Sequence, residues 1–137
     1  MATKEASGSL TQCAEIVGGA PAGFAVYSGD DALTLPILSI GGVGVVSVSS
    51  HLAGKDMKEM HSAFFAGEIA KAAALNIKML PIVKALFQTT TPSPAPLKAA
   101  LNMMGLPSGE LRLPLVAANE HESSIVREAL IQYGLLK

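Results

Sequence analysis

The stretch FAVYSGDD, residues 24–31, and the stretch GGVGVVSVS, residues 41–49, decide the fold. Each holds a short apolar run, Phe24–Tyr27 in the first and Val43–Ser49 in the second, and neither run alternates apolar with polar residues. Such a run is typical of a parallel strand that is covered on both faces. The segment between them, Ala32–Ile40, is predicted to form a short helix. The order strand, helix, strand therefore indicates a parallel α/β sheet with right-handed crossovers.

The segment before these two runs adds one helix and a shortened strand. Apolar residues recur at helical spacing between Leu10 and Val17, Ser7 or Ser9 precedes them as a candidate N-cap, and Met1–Thr3 is compatible with a strand that is cut short. Two strands and a stub cannot close on themselves, whereas a (β/α)8 barrel has eight strands. We therefore expect an α/β fold that is part of a TIM barrel rather than a whole one.

The rest of the chain is predicted to be helical. Helices are expected over Lys55–Ala66, with Phe65 on the apolar side, and over Glu68–Phe87, Leu97–Met104 and Glu120–Gln132. The predicted organisation has two parts. Residues 1–53 form the partial barrel, and residues 54–137 form a barrel-covering helix followed by an α-helical C-terminal extension.

Composition excludes several classes of protein. Half of the 137 residues are hydrophobic, 15% are charged and mean hydropathy is +0.42, which is too apolar for a disordered chain. The net charge of −1 gives no electrostatic support for a nucleic-acid partner. No apolar segment approaches the roughly 20 residues of a membrane span, and the N-terminus does not resemble a signal peptide. We expect a cytoplasmic protein without an internal disulfide, since Cys13 is the single cysteine.

Lys4 is the first candidate for chemistry, because it follows a strand-compatible stub and precedes a glycine turn. A neutral lysine amine at the carboxyl end of a barrel strand can attack a carbonyl and form a Schiff base. The alternative is a solvated lysine near a terminus, which is the commoner case. Ser28–Asp31 ends one strand and opens a helix, and Gly29 there allows the backbone to approach a ligand. The competing interpretation, capping of the helix by Asp30, is the favoured one.

Other polar residues give weaker signals. The glycines at 41, 42 and 44 precede a strand, whereas those of a phosphate-binding loop follow one, so a nucleotide site is not predicted. The three histidines lack the spacing of a zinc site. His51 follows a strand end and is a candidate lining residue, whereas His61 and His121 are expected to be solvated. Cys13 lies on the inward side of its helix and is expected to be a small buried hydrophobe.

Six motifs follow one another along the chain: Lys4–Gly8, Tyr27–Asp31, Gly41–Val48, Ala85–Phe87, Pro92–Lys98 and Leu111–Leu115. In this order and at this spacing they resemble the C-terminal half of the dihydrodipicolinate synthase family, which belongs to the superfamily of pyruvate-dependent class I aldolases. The resemblance runs from Thr3 nearly to Lys137. The related N-acetylneuraminate lyases share the fold and the lysine, but Ser28–Asp31 and the proline-rich stretch look more like the synthase branch.

The resemblance implies a (β/α)8 barrel with a C-terminal helical extension, usually assembled as a homotetramer. This chain would be the C-terminal part of that TIM barrel, with its last three strands, the first of them truncated, followed by the α-helical extension. The family condenses pyruvate with aspartate β-semialdehyde in the biosynthesis of diaminopimelate and lysine. Carried over by motif, Lys4 would form the imine with pyruvate, while Val46 and Gly29 would lie in the pyruvate pocket. No metal or organic cofactor is implied, because the protein's own amine serves as the electron sink.

The resemblance also implies a contact between dimers, in which Leu10, Thr11 and Ile40 would take part. The chain departs from the family pattern in one respect, since about five barrel strands precede the lysine in the family and none precedes it here. The proton-relay tyrosines and threonine and the arginine for the second substrate lie in that region. The proline-rich loop is also longer around Thr89–Thr91.

Two hypotheses remain open at this point. In the first, the chain is the C-terminal portion of such a synthase and is active only when an N-terminal barrel half completes it. In the second, it is a non-catalytic half-barrel that self-associates or binds a partner barrel. Both predict that the chain is not a stable monomer by itself, because an incomplete barrel leaves sheet edges and apolar faces uncovered.

Overall fold

The computed structural model describes all 137 residues, and they form two compact units. Unit 1 contains Met1–Ile77 and unit 2 contains Lys78–Lys137. The division expected after residue 53 separates the strand-bearing partial barrel from its covering helix and the C-terminal extension, which is a different boundary, and it stays a prediction. None of the helices combines the length and the apolar character that crossing a membrane requires.

A three-stranded parallel sheet lies in unit 1, as the sequence predicted. Its strands are β1 (Ala2–Glu5), β2 (Ala25–Ser28) and β3 (Gly44–Val45), in the order β1-β2-β3. The prediction of a second full strand over Val43–Ser49 is wrong, because the strand is limited to Gly44–Val45 and hydrogen bonds to β2 end with the Val46 N–H. The reason is that the chain turns at Val48 towards the next helix, where its backbone bonds to a side chain and not to a strand.

Three helices complete most of unit 1. They are α1 (Leu10–Gly19), α2 (Thr34–Ser39) and α3 (Ser50–Phe65). The Ser9 side chain accepts a hydrogen bond from the Gln12 N–H and caps α1, which confirms one of the two predicted caps. α2 begins two residues later than expected and holds Pro36 in its first turn, where proline is tolerated. The fully buried side chains of this unit include those of Cys13, Val26, Ile37 and Met60.

The end of α3 corrects one expectation. Phe65 was expected on the apolar side of its helix but is 63% exposed. The buried positions of α3 are Ala53, Met57, Met60 and Ala63, whose spacing of three or four residues excludes position 65 from the inward face.

A left-handed glycine, Gly67 with φ 79°, ends the turn after α3, and α4 (Ile69–Leu86) follows and includes residues of both units. Unit 2 also contains α5 (Ala95–Met103) and α6 (Glu120–Tyr133). A capping box starts α6, in which Asn119 and Glu122 each bond to the other's backbone N–H. The buried residues of unit 2 include Ile82, Leu86, Leu97, Val126 and Leu130.

Candidate active site

The carboxyl ends of the three strands meet at one edge of the sheet. Lys4 of β1 pairs with Tyr27 of β2, and Tyr27 in turn pairs with Gly44 of β3. Residues that are paired across parallel strands direct their side chains to the same face. The register therefore places Lys4 beside Tyr27, with Gly44 on the other side of Tyr27.

Gly44 leaves the space that the Tyr27 ring uses. A methyl group built at Gly44 would lie 3.0 Å from two carbon atoms of the ring, closer than nearly all real contacts of this kind. A larger side chain at position 44 would therefore displace Tyr27 from its place next to Lys4.

Lys4 and Gly29 are in direct contact. A methyl group at Gly29 would lie 2.7 Å from Lys4 Cε and 2.5 Å from Ala6 Cβ. The Gly29 N–H donates to the Glu5 carbonyl at 2.6 Å, which extends the pairing of β1 and β2 past the end of β2. Only glycine allows this approach of the two strand ends. The Lys4 side chain is exposed along this path.

Val46 lies at the same edge, directly after β3. Its N–H donates to the Ser28 carbonyl at 2.8 Å, and its side chain is 51% exposed. Lys4 thus lies near the carboxyl end of β1, and Gly29 and Val46 directly follow β2 and β3, at the edge where barrel enzymes place their catalytic groups. Their proposed roles remain predictions.

The two aspartates after β2 have structural roles that the sequence did not reveal. Asp30 Oδ1 accepts from the Ala32 N–H at 2.8 Å, within the loop. The prediction that Asp30 caps the helix is wrong, because α2 starts at Thr34 and has no side-chain cap. Asp31 is 3% exposed, and its Oδ2 accepts from the N–H groups of Val48 and Ser49, at 3.0 and 2.8 Å.

Asp31 thereby ties the loop after β2 to the turn that leads from β3 into α3. A carboxylate at the start of a helix satisfies backbone N–H groups that have no partner within the helix, and it interacts favourably with the helix dipole. Its other oxygen, Oδ1, is buried and has no hydrogen-bond partner. Sequence reasoning placed Asp31 in a loop near the site but gave no signal for a partner 17 residues away.

A buried acid lies on the other side of β1 from Lys4. Glu5 is 7% exposed, and its Oε2 accepts from the Cys13 thiol at 2.9 Å. This hydrogen bond is the largest cause that lowers the pKa of Glu5. Burial, followed by the bond to Glu5, raises the pKa of Cys13 to about 11. Cys13 is fully buried as predicted, but it is also a hydrogen-bond donor rather than only a small hydrophobe.

The burial of one of the three histidines differs from the prediction. His61 was expected to be solvated, but it is partly buried, its Nε2 is buried without a partner, and desolvation lowers its pKa. The reason is its place on α3, one turn after Met57 and beside the buried face of the helix. His51 is exposed, and its Nδ1 lies 2.9 Å from the Val48 carbonyl. His121 is exposed, as expected.

The residues expected in a contact between dimers are at the surface or near it. Leu10 is 40% exposed, Thr11 is exposed and Ile40 is partly buried. Their role in assembly stays a prediction.

A model of the dihydrodipicolinate synthetase family matches residues 1–133. The chain is 56% identical over 119 residues to 4-hydroxy-tetrahydrodipicolinate synthase 1 of Halalkalibacterium halodurans, an alignment that covers 87% of this chain and 40% of that protein. It is 54% identical over 122 residues to the Bacillus subtilis synthase, covering 89% of this chain and 41% of that protein. The chain therefore spans less than half the length of these relatives.

Solved structures give the same result. The dihydrodipicolinate synthase of Thermotoga maritima matches with a TM-score of 0.92 and 41% identity, covering 98% of this chain and 46% of that one. The chloride-inhibited enzyme of Acinetobacter baumannii, solved with pyruvate, matches with a TM-score of 0.87 and 31% identity, covering 97% of this chain and 45% of that one.

Proposed function

The chain belongs to the dihydrodipicolinate synthetase family, and from that premise we propose that Lys4 is the imine-forming lysine of a 4-hydroxy-tetrahydrodipicolinate synthase. Family members are lyases. The proposed substrates are pyruvate and aspartate β-semialdehyde, and the proposed pathway is diaminopimelate and lysine biosynthesis. The observation that supports this most directly is the contact between Lys4 and Gly29 at the carboxyl edge of the sheet, with Val46 on the next strand.

The proposed chemistry uses the chain's own amine. The neutral Lys4 Nζ attacks the keto carbon of pyruvate, a C=N bond forms, and the keto oxygen leaves as water. The protonated imine then draws electrons from the methyl carbon, so that this carbon loses a proton and becomes a nucleophile towards the aldehyde of the second substrate. Val46 and Gly29 line the proposed pyruvate pocket through a branched apolar side chain and a close backbone approach.

The proposal includes a requirement for the rest of the barrel. Three strands leave Lys4 exposed on one face of an open sheet, and both β1 and β3 have only one neighbouring strand. Water exclusion and the positioning of reactants each contribute orders of magnitude to such rates. We therefore propose that these three strands act as the last three of a (β/α)8 barrel. The remainder of the family's length, in the same polypeptide or another, completes that barrel.

Reductive trapping tests the proposed function. The protein is incubated with pyruvate and sodium borohydride and weighed intact, both by itself and with a polypeptide that carries the remaining part of the family sequence. We expect a mass increase equal to pyruvic acid less one oxygen atom, located at Lys4 by peptide mapping, when the barrel is complete. Lys4→Arg is the control that keeps the charge and cannot form the imine. Absence of the adduct in both settings would refute the proposal.

A second candidate function is supported by the two unpaired sheet edges. A parallel sheet normally has both faces covered by other elements. An edge strand without a neighbour is a template for pairing with another chain. The protein would then be a non-catalytic assembly component that binds a copy of itself or another barrel. Borohydride trapping with the completing polypeptide separates the two functions, because only the synthase forms an adduct at Lys4. A compact, soluble monomer in size-exclusion chromatography would contradict the assembly function. The remaining alternative, an N-acetylneuraminate lyase type of aldolase, predicts no condensation with aspartate β-semialdehyde.

A further inference from the structure

Glu5 is a buried carboxylate in the residue directly after Lys4. Side chains alternate between the faces of a strand, so Lys4 is exposed on one face while Glu5 is buried on the other. Burying a carboxylate is costly unless hydrogen bonds replace its lost water. The partners of Glu5 therefore indicate what the buried charge is used for.

Both carboxylate oxygens of Glu5 are occupied by groups from the following loop and helix. Oε1 accepts from the Ser7 N–H at 2.9 Å and from Gln12 Nε2 at 3.2 Å, and Oε2 accepts from the Cys13 thiol at 2.9 Å. The backbone carbonyl of Glu5 accepts from the Gly29 N–H at 2.6 Å. One residue thus links the end of β1 to its loop, to α1 and to the end of β2.

These four bonds fix the backbone at Glu5, immediately after Lys4, through both its side chain and its carbonyl group. The Lys4 side chain must pass within contact distance of Gly29, where there is no room for even one extra methyl group. A shift of the β1 end would therefore move the amine relative to Gly29 and Val46. A misplacement of about 1 Å can reduce an enzymatic rate by roughly a hundredfold.

We propose that Glu5 is a positioning residue for the Lys4 amine: its carboxylate, bound to Ser7, Gln12 and Cys13, holds the turn after β1 and so sets where the amine meets a 2-oxo acid. This inference rests on the proposed function for its chemical consequence. Glu5 itself faces away from Lys4, so it acts through the backbone and does not touch the substrate. Cys13 acts in the same network as a thiol donor.

The test compares four variants with the unsubstituted protein. Glu5→Gln keeps the size of the side chain but replaces one acceptor oxygen by an NH2 group, and Glu15→Gln makes the same change at an exposed position of α1. Cys13→Ser keeps a hydrogen-bond donor for Glu5, whereas Cys13→Ala removes it. Two quantities are measured on each protein, with the barrel completed as above: the rate of pyruvate trapping against pyruvate concentration, and hydrogen exchange of the Ser7 amide.

We expect Glu5→Gln to lower the trapping rate at saturating pyruvate at least tenfold and to speed Ser7 exchange at least tenfold. The half-saturating pyruvate concentration should change by less than threefold, because the pocket itself is intact. Cys13→Ala should lower the trapping rate by a smaller factor than Glu5→Gln. Cys13→Ser, which keeps a donor for Glu5, should bring the rate back towards that of the unsubstituted protein. Exchange of the Ile37 amide, in α2, should stay unchanged in every variant and serves as the measure of intact folding.

Equal trapping rates in Glu5→Gln and Glu15→Gln would overturn the positioning role and leave the proposed function standing. Absence of trapping in the unsubstituted protein would instead refute the proposed function. In that case Ser7 exchange decides whether Glu5 holds the turn, and unchanged exchange in Glu5→Gln would overturn the inference.

Discussion

Replacing Asp31 by alanine should destabilise unit 1 strongly. The Asp31 carboxylate is almost fully buried and accepts from two backbone N–H groups, those of Val48 and Ser49. Asp31→Ala leaves both N–H groups without this partner at a site where Ser49 is fully buried. A buried donor without a partner costs about 1 to 3 kcal/mol. We therefore expect a loss of about 3 kcal/mol in the free energy of unfolding for the pair.

This loss is a large share of the total stability, since domains unfold with only about 5 to 15 kcal/mol. Urea unfolding followed by circular dichroism measures it. With a denaturant dependence of about 1 to 3 kcal/mol per molar urea, the midpoint should fall by about 1 to 3 M. Asp31→Asn keeps an acceptor oxygen without the charge, so its loss should be clearly smaller than that of alanine.

The neighbouring acid is a matched control. Asp30 is only partly buried and its carboxylate accepts one hydrogen bond, from the Ala32 N–H, so Asp30→Ala should cost about 1 kcal/mol. Hydrogen exchange gives a local readout, because the Val48 and Ser49 amides should exchange faster only in the Asp31 variants. Equal midpoint shifts for Asp30→Ala and Asp31→Ala, with no change at these two amides, would refute the reasoning.

Two further predictions concern the same unit. Gly29→Ala should lower the free energy of unfolding, measured by urea titration, by about 1 to 3 kcal/mol, because its methyl group would overlap Lys4 and Ala6. The control Gly18→Ala, in an open position on α1, should be neutral or stabilising by up to about 1 kcal/mol. Equal effects of the two substitutions would contradict the packing at Gly29. Since the pKa of Cys13 is raised from 9.0 to about 11, its contribution to stability should be complete below pH 9 and be lost as the pH rises towards 11. Unfolding midpoints measured from pH 8 to 11 should show this loss, and Cys13→Ala should flatten that part of the profile.

The sequence predicted most of the elements in unit 1 because their signals are local. Apolar runs, glycine breaks and the Ser9 cap are set by residues within one or two turns of each other. The error at β3 has a different origin: Val46 still donates to Ser28, the last residue of β2, and the apolar residues after Val46 have no residue of that strand left to pair with. Apolar character alone does not say where pairing stops.

The candidate site was predicted only in part, for a similar physical reason. Motif resemblance pointed to Lys4, Gly29 and Val46, and the strand register with the backbone bonds of Gly29 and Val46 places all three at one edge, while their roles stay predictions. Asp31 and Glu5 were not identified as anchors, because their partners depend on how loops fold back. Glu5 was part of a quoted motif, yet nothing in its spacing indicated that Cys13 would donate to it.

The hydrogen bonds of Glu5 join residues that are close in sequence, and this has a consequence for the order of folding. Glu5 and Cys13 are eight residues apart, and a loop of that length closes in roughly 10 to 100 ns. The pairing of Lys4 with Tyr27 must instead bring together segments separated by all of α1, at a greater cost in chain entropy. The turn that follows Lys4 is therefore able to form before the sheet does. A destabilised sheet would still leave a nascent, lysine-bearing turn in the segment from Lys4 to Cys13.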